Sequence, residues 1–277
     1  MTYLMEHKDE EARLEIKTDP EVVKRQAAWA GIKPGMRVLD VGCGIGKTTA
    51  ALAELVGPAG QVVGLDYSAK RLALAQERYG SDRIRFIHHD IRTPFHSSPP
   101  FDAVWARFIL EYFRHDQLAI VGNITASLGL GGIACLVDSD CNSLLHHGQD
   151  ERLQKTLEDI MGRLARDHDF DAYAGRRLFG HLRSLGFHDI SCRIEPHHLI
   201  YGELSTVDAY NWTRKIEQSA RVSGCTFDEY AGEEFSRYPS RYDAFVAECT
   251  RFFTSPERFS YTPLVICRGL KTPQLVR

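Results

Sequence analysis

Three glycines alternate behind a short apolar run in Val38-Leu39-Asp40-Val41-Gly42-Cys43-Gly44-Ile45-Gly46-Lys47-Thr48-Thr49. Glycine at such spacing permits positive φ and lets a bound molecule approach the backbone without meeting a Cβ. Two further carboxylates stand at the ends of the next apolar runs, Asp66 after Val62-Val63-Gly64-Leu65 and Asp90 after Ile84-Arg85-Phe86-Ile87-His88-His89. A carboxylate placed like Asp66 can accept hydrogen bonds from a vicinal diol, and one placed like Asp90 can accept from an exocyclic amino group. The chemistry is that of holding a polar small molecule against a turn.

Two familiar phosphate-binding patterns do not fit. A G-x-x-x-x-G-K-[ST] loop ending at Gly46-Lys47-Thr48 needs glycine where Val41 stands, and a G-x-G-x-x-G turn needs its third glycine where Lys47 stands. Each acid also has a local alternative: Asp40 as a helix cap, Asp66 as the N-cap of the helix near Ala69, Asp90 as a loop brace.

The elements that must position these residues alternate from about Met36 to Val137. Strands are expected at Arg37–Val41, Gln61–Leu65, Ile84–His88, Phe101–Ala106 and Gly132–Val137, and helices at Lys47–Val56, Ala69–Tyr79 and Gln117–Leu128. Such alternation produces parallel strands joined by crossover helices, a doubly wound α/β sheet. Ahead of it, Asp19-Pro20 should cap a helix over Glu21–Ala30 that Gly31 ends. Beyond it, 149–168 and Arg176–Leu185 read as helices, and Ile190–Ile194 and Ser260–Arg268 as strands. Thirteen of the aromatic residues fall between Tyr201 and Tyr261, about twice their share by length. Residues 203–255 therefore read as a helical insertion, whose Phe227, Tyr230, Phe235, Tyr238, Tyr242, Phe245, Cys249 and Phe252 recur mostly every three or four residues.

On these motifs the chain resembles the class I S-adenosylmethionine-dependent methyltransferases. They are the acidic-x-Gly-x-Gly-x-Gly turn at 40–46, the strand-end Asp66 and Asp90, the fourth strand Phe101-Asp102-Ala103-Val104-Trp105-Ala106-Arg107, and Leu130-Gly131-Gly132 opening the fifth. The resemblance implies a Rossmann-like seven-stranded methyltransferase sheet with its last strand antiparallel. The helical insertion falls between the last two strands. The core would be 1–202 and 256–277, with 203–255 as a cap over the methyl acceptor. It implies S-adenosylmethionine as cofactor. Gly42, Cys43 and Gly44 would lie against the methionine moiety and ribose, Asp40 near the amino group, and Asp66 on the ribose. Tyr67 and Ile91 would flank adenine, Asp90 would face its amino group, and Arg107 would begin the wall beside the methionine moiety. Glu10-Glu11-Ala12-Arg13-Leu14 is similar to the leading helix of ubiquinone/menaquinone-biosynthesis-type enzymes, which makes Arg13 a candidate for the cofactor carboxylate.

Methyl transfer from a sulfonium is an in-line displacement that needs mainly alignment, worth roughly 7–11 kcal/mol, so no fixed catalytic signature is expected. Glu111, Tyr112, His115, His146 and His147 are candidate bases for an acceptor hydroxyl. Tyr201, Tyr210 and Trp212 are candidates for an acceptor wall, and an apolar pocket with few polar groups suits a small aromatic or apolar metabolite. The alternatives are a protein or peptide methyltransferase and a non-catalytic cofactor-binding regulator.

Composition narrows the partners. In 277 residues, 34 Lys+Arg against 37 Asp+Glu leave a net charge of −3, which supplies no positive field for phosphate backbones. The fourth strand ends in Trp105-Ala106-Arg107-Phe108 and not in the Asn/Asp-Pro-Pro-Tyr/Phe of amino-methylating DNA and glutamine methyltransferases. No nucleic-acid partner is expected. No apolar run approaches the roughly 18 residues of a membrane span, and the first residues lack a signal-peptide stretch, so no membrane partner is expected and a cytoplasmic location is. The seven cysteines are odd in number and lack Cys-x-x-Cys, and adjacent histidines on a strand face opposite ways. No metal is expected.

Overall fold

The computed structural model describes residues 18–202 and 204–272, excepting the side chains at 206, 207 and 209–211. Helix α1 (Pro20–Ala30) begins as its sequence dictates: the Asp19 carboxylate accepts from Glu21 N at 2.9 Å, Pro20 occupies the first turn, and Gly31 closes the helix at φ 102°. Its buried Val23, Ala27 and Ala30 share one face, at helical spacing.

Strands β1 (Arg37–Val41), β2 (Gln61–Asp66) and β3 (Ile84–His88) alternate with helices α2 (Lys47–Val56) and α3 (Ala69–Tyr79). The chain continues through β4 (Phe101–Arg107), α4 (Gln117–Ile124), β5 (Leu128–Ser139), β6 (His146–His147), α5 (Glu151–Asp167), α6 (Leu178–Ser184), β7 (His188–Tyr201), α7 (Thr206–Ser223), α8 (Arg241–Phe253) and β8 (Phe259–Leu270). The sheet order is β3-β2-β1-β4-β5-β8-β6, with β7 also on β8. β8 runs antiparallel to β5 and β7. The order reverses between β1 and β4, the point where open α/β sheets leave a crevice at their carboxyl ends.

Alternation along the strands divides two cores. Val38, Val62, Ala103, Trp105 and Cys135 face α1 and α2, while Leu39, Val63, Val104 and Leu136 face α4 and α6. A third apolar cluster lies among α5, α7 and α8 and includes Leu157, Trp212, Tyr230, Phe245 and Phe252.

The structure departs from the sequence reading at β6, β7 and α4, with smaller shifts at the ends of β5, α6 and β8. The two-residue strand β6, paired at His146↔Ser260 and His147↔Phe259, makes eight strands among the described residues, where seven were expected; two residues carry no period to read. β7 runs past the expected Ile194 to Tyr201, through Pro196. As the outer neighbour of β8, it tolerates a missing N–H, and the pairing register shifts between Pro196 and His198. α4 stops at Ile124 because the Thr125 hydroxyl donates back to the Val121 carbonyl at 2.7 Å and Leu128 already pairs with Phe101. The aromatic residues of 203–255 do not form a core by themselves: α5 supplies Leu153, Leu157, Ile160, Met161 and Leu164 to their cluster. Among the described residues no helix is long and apolar enough to cross a membrane.

Candidate functional site

Parallel pairing places Asp40 beside Gly64 and Asp66 beside His88, so the strand-end acids come to one edge of the sheet. There a cavity of about 950 Å³ opens, lined by the turn after β1 (Asp40–Ile45), by Asp66 to Ser68 and Arg71, by His89 to Arg92, by Arg107 to Ile109, and by Tyr112, Phe113 and His115. Thr18, Lys47, Thr48, Leu65 and Arg166 to Asp169 complete it.

The glycine turn is built by contact as well as by conformation. Gly42 and Gly46 have φ of 68° and 87°. A Cβ on Gly42 would stand 2.0 Å from the Ile109 Cδ1 at the cavity wall. The Gly44 N–H donates to Asp66 Oδ2 at 2.9 Å and the Ser68 N–H to Oδ1 at 2.8 Å, so the second acid ties the first turn to the next strand. Arg71 lies 3.6 Å from the same carboxylate. An ionised carboxylate has about four lone-pair directions, which leaves acceptor capacity on Asp66.

Asp40 is buried to 2% exposure. Burial pushes its carboxyl up to about 7, although Thr49 Oγ1 donates to it at 2.6 Å and the Arg107 charge opposes the shift. Burial also lowers the Arg107 guanidinium to about 10, and its buried Nε has no hydrogen-bond partner among the described residues. The sign of the linkage follows from the raised value. The unfolded chain ionises Asp40 near 4 while the folded chain stays protonated to about 7, so this group costs stability as pH rises through that window and adds no further cost above it. Asp40→Asn should therefore gain on the wild type by about 1–4 kcal/mol in urea unfolding between pH 4 and pH 8. A gap that does not change with pH would mean that Asp40 is ionised throughout.

Asp90 is on the cavity wall, but both its oxygens are clamped by the Arg92 side chain and Oδ1 also accepts the Arg92 N–H at 3.0 Å. The Arg92 bonds hold its carboxyl below the usual range. Tyr67 is half exposed and leans on His88, ring centroids 5.5 Å apart. Ile91 lines the cavity and packs on the sheet core. Cys43 is buried, and burial keeps its thiol protonated.

The proposed acceptor wall is placed elsewhere. Tyr201 ends β7 at 70% exposure and Trp212 is buried at 3% among His146, His198 and Phe253; neither lines the cavity. Trp212 serves the third core, whereas Tyr201 belongs to the exposed end of an outer strand. Arg13 and the Tyr210 side chain lie outside the described residues. Of the five candidate bases, Tyr112 and His115 reach the cavity. Glu111 is buried and accepts from Ser139 Oγ at 3.0 Å and Asn142 Nδ2 at 2.9 Å. His146 bonds Ser260 Oγ and the Ser143 carbonyl, and burial lowers it to about 4. His147 stands on β6, off the cavity wall.

Residues missed in the sequence include Asp138, whose Oδ2 accepts the Leu110 N–H at 2.8 Å and so fixes the 3-10 turn that carries Tyr112. Burial raises its carboxyl well above the usual range. It ends β5 as Asp40 ends β1, so the same strand-end rule could have found it. Asp169 came from no local signal. Among the described residues no group of three or more His, Cys, Asp or Glu is arranged to hold a metal ion.

The strand order, the glycine turn and the acids at the carboxyl edge define the Rossmann-like class I methyltransferase fold. Residues 38–132 match the family model described as a methyltransferase domain, so the resemblance read from the motifs is borne out. Demethylmenaquinone methyltransferase of Staphylococcus aureus is 34% identical over 119 residues, 42% of this chain and 48% of that one. The match thus spans about half the length of the curated relative. Among solved structures, the [4+2]-cyclase SpnF superposes with a TM-score of 0.54 at 21% identity, over 91% of this chain and 81% of that one. Haemonchus contortus phosphoethanolamine N-methyltransferase 2, in complex with S-adenosyl-L-methionine, superposes at 0.50 and 19% identity, over 87% of this chain and 50% of that one. These likenesses speak for the fold. Since one neighbour is named for a cyclisation, the reaction must be argued from the site.

Proposed function

We propose that the protein is an S-adenosylmethionine-dependent methyltransferase acting on a small acceptor. The observation that carries this is the convergence of Gly44 and Asp66: one carboxylate, bonded to the glycine turn at 2.9 Å, faces a cavity of about 950 Å³. That volume is at the upper end of ordinary small-ligand sites and suits a donor and an acceptor side by side.

The residues present fit the donor. Asp66 would take the ribose hydroxyls on its free lone pairs, and Tyr67 and Ile91 would bracket the adenine. Asp40 would face the amino group, and the partnerless Nε of Arg107 suits the carboxylate beside it. Gly42 leaves the passage that a side chain would fill. Asp90 is assigned to bracing its loop through Arg92, with an adenine contact limited to its remaining lone pairs. The bound donor supplies a methyl group already activated by its sulfonium. Everything else falls to alignment and exclusion of water by the chain.

The helices within 203–255 bring no described side chain to the cavity; they back it through α5, whose end carries Arg166 and Asp167 into the wall. The relative named for demethylmenaquinone favours an aromatic or apolar metabolite, and Phe108, Tyr112 and Phe113 on the wall are consistent with one. Calorimetry with S-adenosylhomocysteine tests the reading. Saturable binding at micromolar concentration is expected, and no heat at millimolar ligand would overturn it.

A further inference from the structure

Two segments far apart in sequence are laced together at the cavity wall. The Arg114 N–H donates to the Asp169 carbonyl at 2.9 Å, Arg114 Nη1 to the Ala165 carbonyl at 3.1 Å, and the Asp171 N–H to the Glu111 carbonyl at 2.8 Å. At the centre of this lacing Asp169 Oδ1 receives both the His115 N–H, at 3.1 Å, and His115 Nδ1, at 2.5 Å. Asp169 holds φ of 57°, a left-handed conformation that aspartate tolerates better than most residues. Its side chain is 18% exposed, whereas the imidazole is 68% exposed, and both residues line the cavity.

A carboxylate is acceptor-only, so the nitrogen that meets it is the one bearing hydrogen. The neutral imidazole is thereby fixed with its proton on Nδ1, leaving Nε2 as a lone-pair acceptor, and Nε2 has no partner among the described residues. The two buried candidates are held by the fold: Glu111 Oε2 accepts from Ser139 and Asn142, and both ring nitrogens of His146 are bonded.

Resting on the methyl-transfer reading above, we infer that His115 and Asp169 form a general-base dyad and that the acceptor is a hydroxyl compound, a phenol, enol or alcohol. His115 Nε2 takes the acceptor's O–H proton as the oxygen forms its bond to the methyl carbon. The electron pair of the broken carbon–sulfur bond stays on sulfur, giving the thioether product. Asp169 stabilises the imidazolium, and the exposed ring passes the proton to water. A tertiary amine or a thioether has no proton to surrender, and the dyad would be idle with one. Asp169 is a positioning residue acting through His115.

The test has two arms. In the donor-free protein, nitrogen NMR of labelled histidine, with the signal assigned through His115→Gln, should show hydrogen on Nδ1 of His115, and Asp169→Asn should abolish that preference. Hydrogen fixed on Nε2 overturns the dyad, whatever the enzyme methylates. In the second arm, S-adenosylmethionine is supplied with phenols ranging from 4-nitrophenol to 4-methoxyphenol. His115→Gln should lose about 10²–10⁴-fold in kcat on the weakly acidic phenols, much less on 4-nitrophenol, which is largely ionised already, and keep its affinity for S-adenosylhomocysteine. Equal losses across the series, or none, overturn the base assignment. A wild type that binds S-adenosylhomocysteine yet methylates no phenol overturns the hydroxyl assignment. A wild type that does not bind it defeats the methyl-transfer reading itself, while the tautomer result stands on its own.

Discussion

Asp66→Ala is expected to weaken S-adenosylhomocysteine binding by about 10²–10⁴-fold in calorimetry. Two ribose hydroxyls donating to one carboxylate are each worth about 1.5–3 kcal/mol, the usual range for hydrogen bonds to a charged group, and 1.4 kcal/mol is about tenfold. The loss is compounded locally, because the Gly44 and Ser68 N–H groups lose their acceptor and the turn loses its tie to β2. Asp66→Asn keeps one carbonyl oxygen and should fall between the two. A folded Asp66→Ala protein with wild-type affinity would refute the ribose role and, with it, the observation on which the functional reading stands.

The third glycine should matter most for stability. A Cβ on Gly46 would lie 2.8 Å from Phe86 Cζ, 3.0 Å from Ala75 Cβ and 3.0 Å from Tyr79 Cδ2, at φ of 87°. Alanine there pays about 1–2 kcal/mol for the left-handed backbone and about 1–3 kcal/mol for overpacking, so Gly46→Ala should lose about 2–5 kcal/mol in urea unfolding. Gly224, at φ of 63° with nothing within 4 Å of a Cβ, isolates the first contribution, and Gly224→Ala should lose only about 1–2 kcal/mol. Equal losses at the two positions would remove the packing argument.

The glycine-turn half of the cavity was legible because its information is local. β1, β3, α2 and α3 begin and end at the residues expected, since Gly46, Ser68 and the apolar runs carry their own boundaries. Asp40 and Asp66 followed from strand ends, and parallel pairing did the rest. What escaped was tertiary. His115 and Asp169 are 54 residues apart, and nothing near either announces the other. Tyr201 and Trp212 carried an aromatic signal that packing and an outer strand explain equally well, and Asp90 is taken by Arg92, two positions away, as the loop brace its position also allowed.

The apolar cluster of α5, α7 and α8 has no member in common with the two that sandwich the sheet. Substitutions in separate, well-spaced cores add with little interaction. A large-to-small substitution inside the helical cluster should therefore leave the cost of one in either sheet core unchanged, and its effect should reach the cavity only through shared residues such as Tyr112, which packs on that cluster and lines the cavity.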